Sequence, residues 1–136
     1  MARLMAFDYG AKRLGIAVTD TLQLIATGLT TIHPKDIKFF LTEYLKTEEI
    51  CCFIVGEPRQ LDNTLSETAG QAEAFSRQLC KMFPSIPVKR VNERNTSKMA
   101  MRALIDSGVK KNDRRNKGIL DTVSATLILQ AYMEGL

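Results

Sequence analysis

Apolar residues fall into short blocks whose spacing changes along the chain, and the spacing predicts the order of elements. Residues 3–8 (RLMAFD) form an apolar run ended by the turn-like Tyr9-Gly10-Ala11-Lys12, and residues 13–19 (RLGIAVT) form a second. So short a connection between two apolar runs predicts an antiparallel hairpin. Residues 27–33 supply a third strand, closed by Pro34. From 36 to 48 the period lengthens. Ile37, Phe40, Leu41, Tyr44 and Leu45 recur at helical spacing, with Asp36 placed as the N-cap. Residues 51–55 (CCFIV) are apolar without interruption, as a strand buried on both faces requires, and Gly56 ends them.

Residues 58–63 read as a polar loop. Thr64-Leu65-Ser66-Glu67 has the form of a capping box that opens a helix reaching about Phe83, with Ala72, Phe75, Leu79 and Phe83 inward. Pro84 and Pro87 bracket a loop before a short strand at 88–91. Residues 96–107 read as a helix with Met99, Ala103 and Leu104 inward and Gly108 as its stop. Residues 119–133 form a last helix, with Leu120, Val123, Leu127 and Ala131 along one stripe. Three strands followed by alternating helices and strands predict an α/β fold. Its five-stranded mixed sheet has a three-stranded antiparallel meander plus two parallel strands and is flanked by helices. That is a ribonuclease H-like layout.

Composition narrows the class. The chain has 136 residues, which suits one domain over 1–136, and at that size folding buries roughly two-thirds of the unfolded surface. Hydrophobic residues at 45% and charged residues at 25% exclude a disordered chain. No run approaches the length of a membrane span, and residues 1–8 lack the apolar core of a secretory leader, so a cytoplasmic protein is expected. Cys51, Cys52 and Cys80 have neither zinc spacing nor a disulfide pattern and are expected as buried, reduced thiols. The net charge of +4 permits a polyanionic partner, and the charge is uneven. Residues 109–118 (VKKNDRRNKG) hold Lys110, Lys111, Arg114, Arg115 and Lys117 against the single acid Asp113.

The acids become informative once placed on this topology. Asp8 ends the first strand, Glu57 follows the fourth and Glu93 follows the fifth. If those strands are parallel, all three acids emerge at one edge of the sheet, where ligand sites of open α/β sheets lie. Asp121 falls in the first turn of the last helix. Asp20 ends a strand of opposite direction and belongs at the far edge. Converging carboxylates repel unless a cation neutralises them, and Mg²⁺ (or Mn²⁺) accepts such oxygen ligands. Two such ions activate water and stabilise the leaving oxygen in phosphodiester hydrolysis, a reaction that needs no side-chain nucleophile. His33, the only histidine, precedes a proline and reads as structural. Lys12 and Arg13 beside Asp8, Arg94 beside Glu93 and the basic run before Asp121 would surround an acidic centre with phosphate-binding groups. Each residue also has a plain reading. Asp8 suits a turn, Asp121 a helix dipole, Glu93 an ion pair with Arg90 or Arg94, and the basic run a solvated loop.

Four blocks in order resemble the YqgF/RuvX family over nearly the whole chain. They are Phe7-Asp8-Tyr9-Gly10 with Lys12-Arg13 and Gly15-Ile16-Ala17-Val18-Thr19-Asp20; Val55-Gly56-Glu57-Pro58 with Leu61-Asp62; Asn92-Glu93-Arg94 with Thr96-Ser97; and Asp121 with Ser124-Ala125 and Ile128-Leu129-Gln130. The resemblance implies a ribonuclease H-like nuclease with Asp8, Glu93 and Asp121 as its catalytic, metal-binding acids. It implies action on the 5′ end of pre-16S ribosomal RNA in ribosome biogenesis or, alternatively, on Holliday junctions. Two positions depart from the pattern. Asn92 stands where the family usually has Asp, and Glu57 where it usually has a hydrophobic residue. Glu57 is therefore expected to restore part of the lost charge and to join Asn92 among the metal ligands. Asn92 also opens the reading of a non-catalytic RNA-binding assembly factor. A monomer and a homodimer are both compatible with the sequence, and symmetric cutting of a junction calls for the two-fold dimer. The opening block also resembles the first phosphate loop of actin-like ATPases, but those need a second domain and this chain lacks a Walker pattern.

Overall fold

The computed structural model describes residues 2–10, 12–58, 69–93 and 117–134, of which 57–58, 69, 92–93 and 117–121 are described by backbone alone. The elements are β1 (Arg3–Tyr9), β2 (Leu14–Thr19), β3 (Ala26–Ile32), a 3-10 turn (Pro34–Asp36), α1 (Ile37–Tyr44), β4 (Ile50–Pro58), α2 (Ala69–Met82), β5 (Val88–Glu93) and α3 (Lys117–Glu134). The sheet order is β3-β2-β1-β4-β5. β1 pairs antiparallel with β2 and β2 with β3, while β1–β4 and β4–β5 are parallel. This is the expected mixed sheet. The helix expected at 96–107 and the capping box at 64–67 lie outside the described residues.

Strand side chains alternate between the two faces of the sheet, and each face buries a different kind of core. Met5, Phe7, Leu14, Ile16, Phe53 and Val55 pack with Ile37 and Leu41 of α1 and with Phe75 and Leu79 of α2. Aromatic rings dominate there: Phe7 lies 5.6 Å from Phe53 and 5.4 Å from Phe75 between centroids. The opposite face is lined by Leu4, Ala6, Ala17, Cys52 and Ile54 and covered by Ala125, Ile128 and Leu129 of α3. Its residues are smaller, which lets one helix ride close to the sheet.

Two register shifts adjust this alternation. Arg3 pairs with Ile50 but Leu4 with Cys52, leaving Cys51 as an extra residue in β4. Ile16 pairs with Thr30 but Ala17 with Gly28, leaving Leu29 as an extra residue in β3. Such bulges re-aim the residues that flank them.

Several sequence expectations need correction. β4 and β5 run on to Pro58 and Glu93 because their parallel pairing continues through Glu57↔Asn92 and Pro58↔Glu93, so positions 57 and 93 lie within the strands. α1 is shorter than residues 36–48. Pro34 opens a separate 3-10 turn, His33 Nδ1 caps it by accepting from the Lys35 N–H at 3.1 Å, and Asp36 makes no side-chain cap bond. α3 starts at Lys117, so Lys117 belongs to the helix and Asp121 lies beyond its first turn. Among its described side chains the buried ones are Ser124, Ala125, Ile128 and Leu129, while Val123 and Leu127 are half-buried and Ala131 is exposed; the side chain of Leu120 lies outside the described ones. Apolar residues occur all round this helix, so their spacing alone does not select the inward face. Of the cysteines only Cys52 is buried; Cys51 and Cys80 are exposed.

Candidate functional site

Parallel pairing of β1, β4 and β5 brings positions 8, 57 and 93 to the C-terminal edge of the sheet. Alternation then divides them. Asp8 follows Leu4 and Ala6 on the α3 face and is half-buried. Position 93 shares its strand parity with Val91, which packs against the α3 cluster. Position 57 shares its parity with Phe53 and Val55, which face α1 and α2. Position 92 shares its parity with Arg90, whose Nη1 lies 2.9 Å from Glu73 Oε2 of α2. Backbone register thus sorts 8 and 93 to the α3 face and the register partners 57 and 92 to the reverse face.

α3 supplies position 121 to the first of these faces. Asp8 pairs with Gly15, and Gly15 pairs with Thr31, so one rung crosses β1, β2 and β3. Thr31 Oγ1 lies 2.9 Å from Thr122 Oγ1 of α3. Two strand spacings separate Asp8 from Thr31, roughly 10 Å. The residue next to position 121 is therefore tied to the rung that carries Asp8. Sequence reasoning missed both threonines; neither carries a charge, and their meeting depends on tertiary packing.

Lys12 and Arg13 are exposed in the β1–β2 turn at the Asp8 end. Gly10 makes that turn possible, because a Cβ there would lie 2.8 Å from the Arg13 carbonyl oxygen. Arg94, Lys110, Lys111, Arg114 and Arg115 lie outside the described residues, and Lys117 begins α3.

Asp20 is at the far edge, as its strand direction requires. Its carboxylate accepts from the N–H groups of Leu24 and Ile25, both at 2.8 Å, and of Leu22 at 3.2 Å. These backbone donors, Ile25 foremost, hold its pKa below the ordinary carboxylate value. Asp20 closes a turn in which Gln23 adopts a positive φ of 58°. It takes no part in the acidic edge.

Among the described residues no three His, Cys, Asp or Glu side chains form a metal-holding group, and Asp8 is the one candidate acid whose side chain is described. The donor types at positions 8, 93 and 121 are carboxylates, which suit a hard, oxygen-seeking cation.

The profile of the RuvX family, described as Holliday junction resolvase, matches residues 2–135. This chain belongs to the RuvX family. A relative from Christiangramia forsetii, named "Putative pre-16S rRNA nuclease", is 47% identical over 133 residues, covering 98% of each chain. A relative of the same name from Bacteroides fragilis is 48% identical over 134 residues, covering 98% of this chain and 97% of its own. Among solved structures, Thermus thermophilus RuvC in complex with a Holliday junction substrate superposes with a TM-score of 0.56 at 20% identity, covering 99% of this chain and 96% of RuvC. A second structure of Thermus thermophilus RuvC gives a TM-score of 0.52 at 16% identity, with coverage of 98% and 96%. At those identities the likeness is one of fold, and the fold is ribonuclease H-like. No helix among the described residues is long and apolar enough to cross a membrane.

Proposed function

We propose that this chain is a metal-dependent nuclease of one domain that hydrolyses phosphodiester bonds in the 5′ leader of pre-16S ribosomal RNA. The observation that carries the reading is the placement of Asp8. It sits at the C-terminal edge of β1, on the face that also receives position 93 and the α3 segment bearing position 121. The substrate class follows from relatives 47% and 48% identical over nearly the full chain and named for pre-16S rRNA.

Asp8, Glu93 and Asp121 would hold Mg²⁺ or Mn²⁺ between them. A divalent cation bound there supplies Lewis-acid activation of water and neutralises charge at the scissile phosphate. On this reading the chain's own contribution is to bring backbone positions 8, 93 and 121 to one face, with the exposed turn residues Lys12 and Arg13 beside them for the polyanion. By backbone register positions 57 and 92 belong to the reverse face, which supports leaving both outside the ligand set. On this reading Asn92 in place of Asp does not abolish activity.

The RuvX description and the RuvC fold favour a second reading, cleavage of a four-way DNA junction. Labelled leader RNA and a labelled junction, incubated side by side with Mg²⁺ or Mn²⁺, separate the two. Cutting of the RNA alone is expected. Cutting of the junction alone transfers the assignment to DNA. Salt-sensitive binding without cutting of either makes the chain a non-catalytic assembly factor.

A further inference from the structure

Among the described residues, contacts from β3 and from within α3 meet at Thr122, the residue next to position 121. Its hydroxyl shares a 2.9 Å hydrogen bond with Thr31. Its carbonyl oxygen accepts from Thr126 Oγ1 at 2.9 Å. Its methyl group occupies the space that a side chain at Gly28 would fill. Gly28 and Thr31 are three residues apart, so a regular strand would turn them to opposite faces. The extra residue Leu29 reverses that parity, and both reach α3. β3 is an edge strand, where a bulge is well placed to re-aim a side chain.

We infer that Thr31 is a positioning residue for the acidic centre: its bond to Thr122 fixes where α3 holds position 121 relative to Asp8. The role rests on the metal-dependent reading above and adds the device that sets its geometry. The rung Thr31–Gly15–Asp8 gives that device a rigid frame, since the two glycine-paired partners belong to one continuous sheet. A threonine in this place holds the helix by direction as well as by bulk, because a hydroxyl pair has a short range and a preferred angle. Groups that orient metal ligands from outside the coordination sphere commonly account for about ten- to hundredfold in metal affinity.

The test is Mn²⁺ binding to the full chain by calorimetry, with the unfolding midpoint of the metal-free protein measured alongside. Thr31→Val keeps the branched shape and removes the hydroxyl, Thr31→Ser restores the hydroxyl, and Thr122→Val removes it from the other side. Weakening of about tenfold or more in both valine variants, recovery in Thr31→Ser and metal-free midpoints close to wild type are expected. If Thr31→Val does not fold, Thr122→Val decides by the same criterion. Wild-type affinity in a folded valine variant, or failure of Thr31→Ser to recover, overturns the positioning role alone. A wild-type chain that takes up no Mn²⁺ overturns the metal reading and the positioning role with it.

Discussion

Gly28 and Thr31 lie three residues apart on one strand, yet both meet Thr122 of the covering helix. The unpaired Leu29 between them makes this possible. Gly28 is there because nothing larger fits: a Cβ would collide with Thr122 Cγ2. Thr122 is β-branched on a helix, so it has few rotamers with which to yield. Gly28→Ala should lower stability by about 1–3 kcal/mol, the usual cost of overpacking. Chemical denaturation checks it, and a midpoint equal to wild type contradicts so close an approach.

The separation of positions 8 and 57 by strand register predicts unequal roles under the proposed function. Glu57→Gln should leave Mn²⁺ affinity within about twofold of wild type, whereas Asp8→Asn should weaken it by about tenfold or more. Calorimetry on the two folded variants is sufficient. A large loss in Glu57→Gln would return that residue to the ligand set.

Much of the architecture was legible in the sequence because its signals are local. The apolar runs at 3–8 and 13–19, the helical spacing from Ile37 to Leu45 and the uninterrupted CCFIV block each reflect a burial requirement. Asp20 was placed at the far edge by strand direction alone. The bulges were not legible, since an extra residue in a ladder leaves no mark on composition. That is why Cys51 and Cys52 were expected to be alike when one is exposed and the other buried. Strand direction alone brought positions 8, 57 and 93 to one sheet edge, but the separation of those positions between faces needed the register. Thr31 and Thr122, 91 positions apart, have no sequence signal that would pair them.

The cysteines offer a direct check of the β4 bulge. Cys52 is buried, and burial pushes its thiol pKa up, with a hydrogen bond involving Tyr132 opposing in part. The thiolate is the reactive form. Iodoacetamide at mildly alkaline pH should label Cys51 and Cys80 in the native chain and Cys52 only after unfolding. Peptide mass mapping distinguishes the three sites. Rapid native labelling of Cys52 contradicts the placement.

Asp20 makes a prediction about acid. Its folded pKa is lowered, so the stability it contributes is present above the unfolded value and lost as pH falls through the folded one. Asp20→Ala should therefore be less stable than wild type at neutral pH, and the gap should close below about pH 4. Thermal unfolding of both proteins across that window measures it. A gap that persists unchanged in acid assigns the loss to packing instead.

In the proposed function Asp8, Glu93 and Asp121 form the centre that cuts. The most direct measurement is single-turnover cleavage of the pre-16S leader RNA with Mg²⁺ by wild type, Asp8→Asn, Glu93→Gln and Asp121→Asn, with Glu57→Gln alongside. Loss of several kcal/mol of charge stabilisation slows a reaction by more than about a hundredfold. Each of the three variants should show that loss while remaining folded, and Glu57→Gln should cut at nearly the wild-type rate. Cleavage that survives in Asp8→Asn would contradict the account.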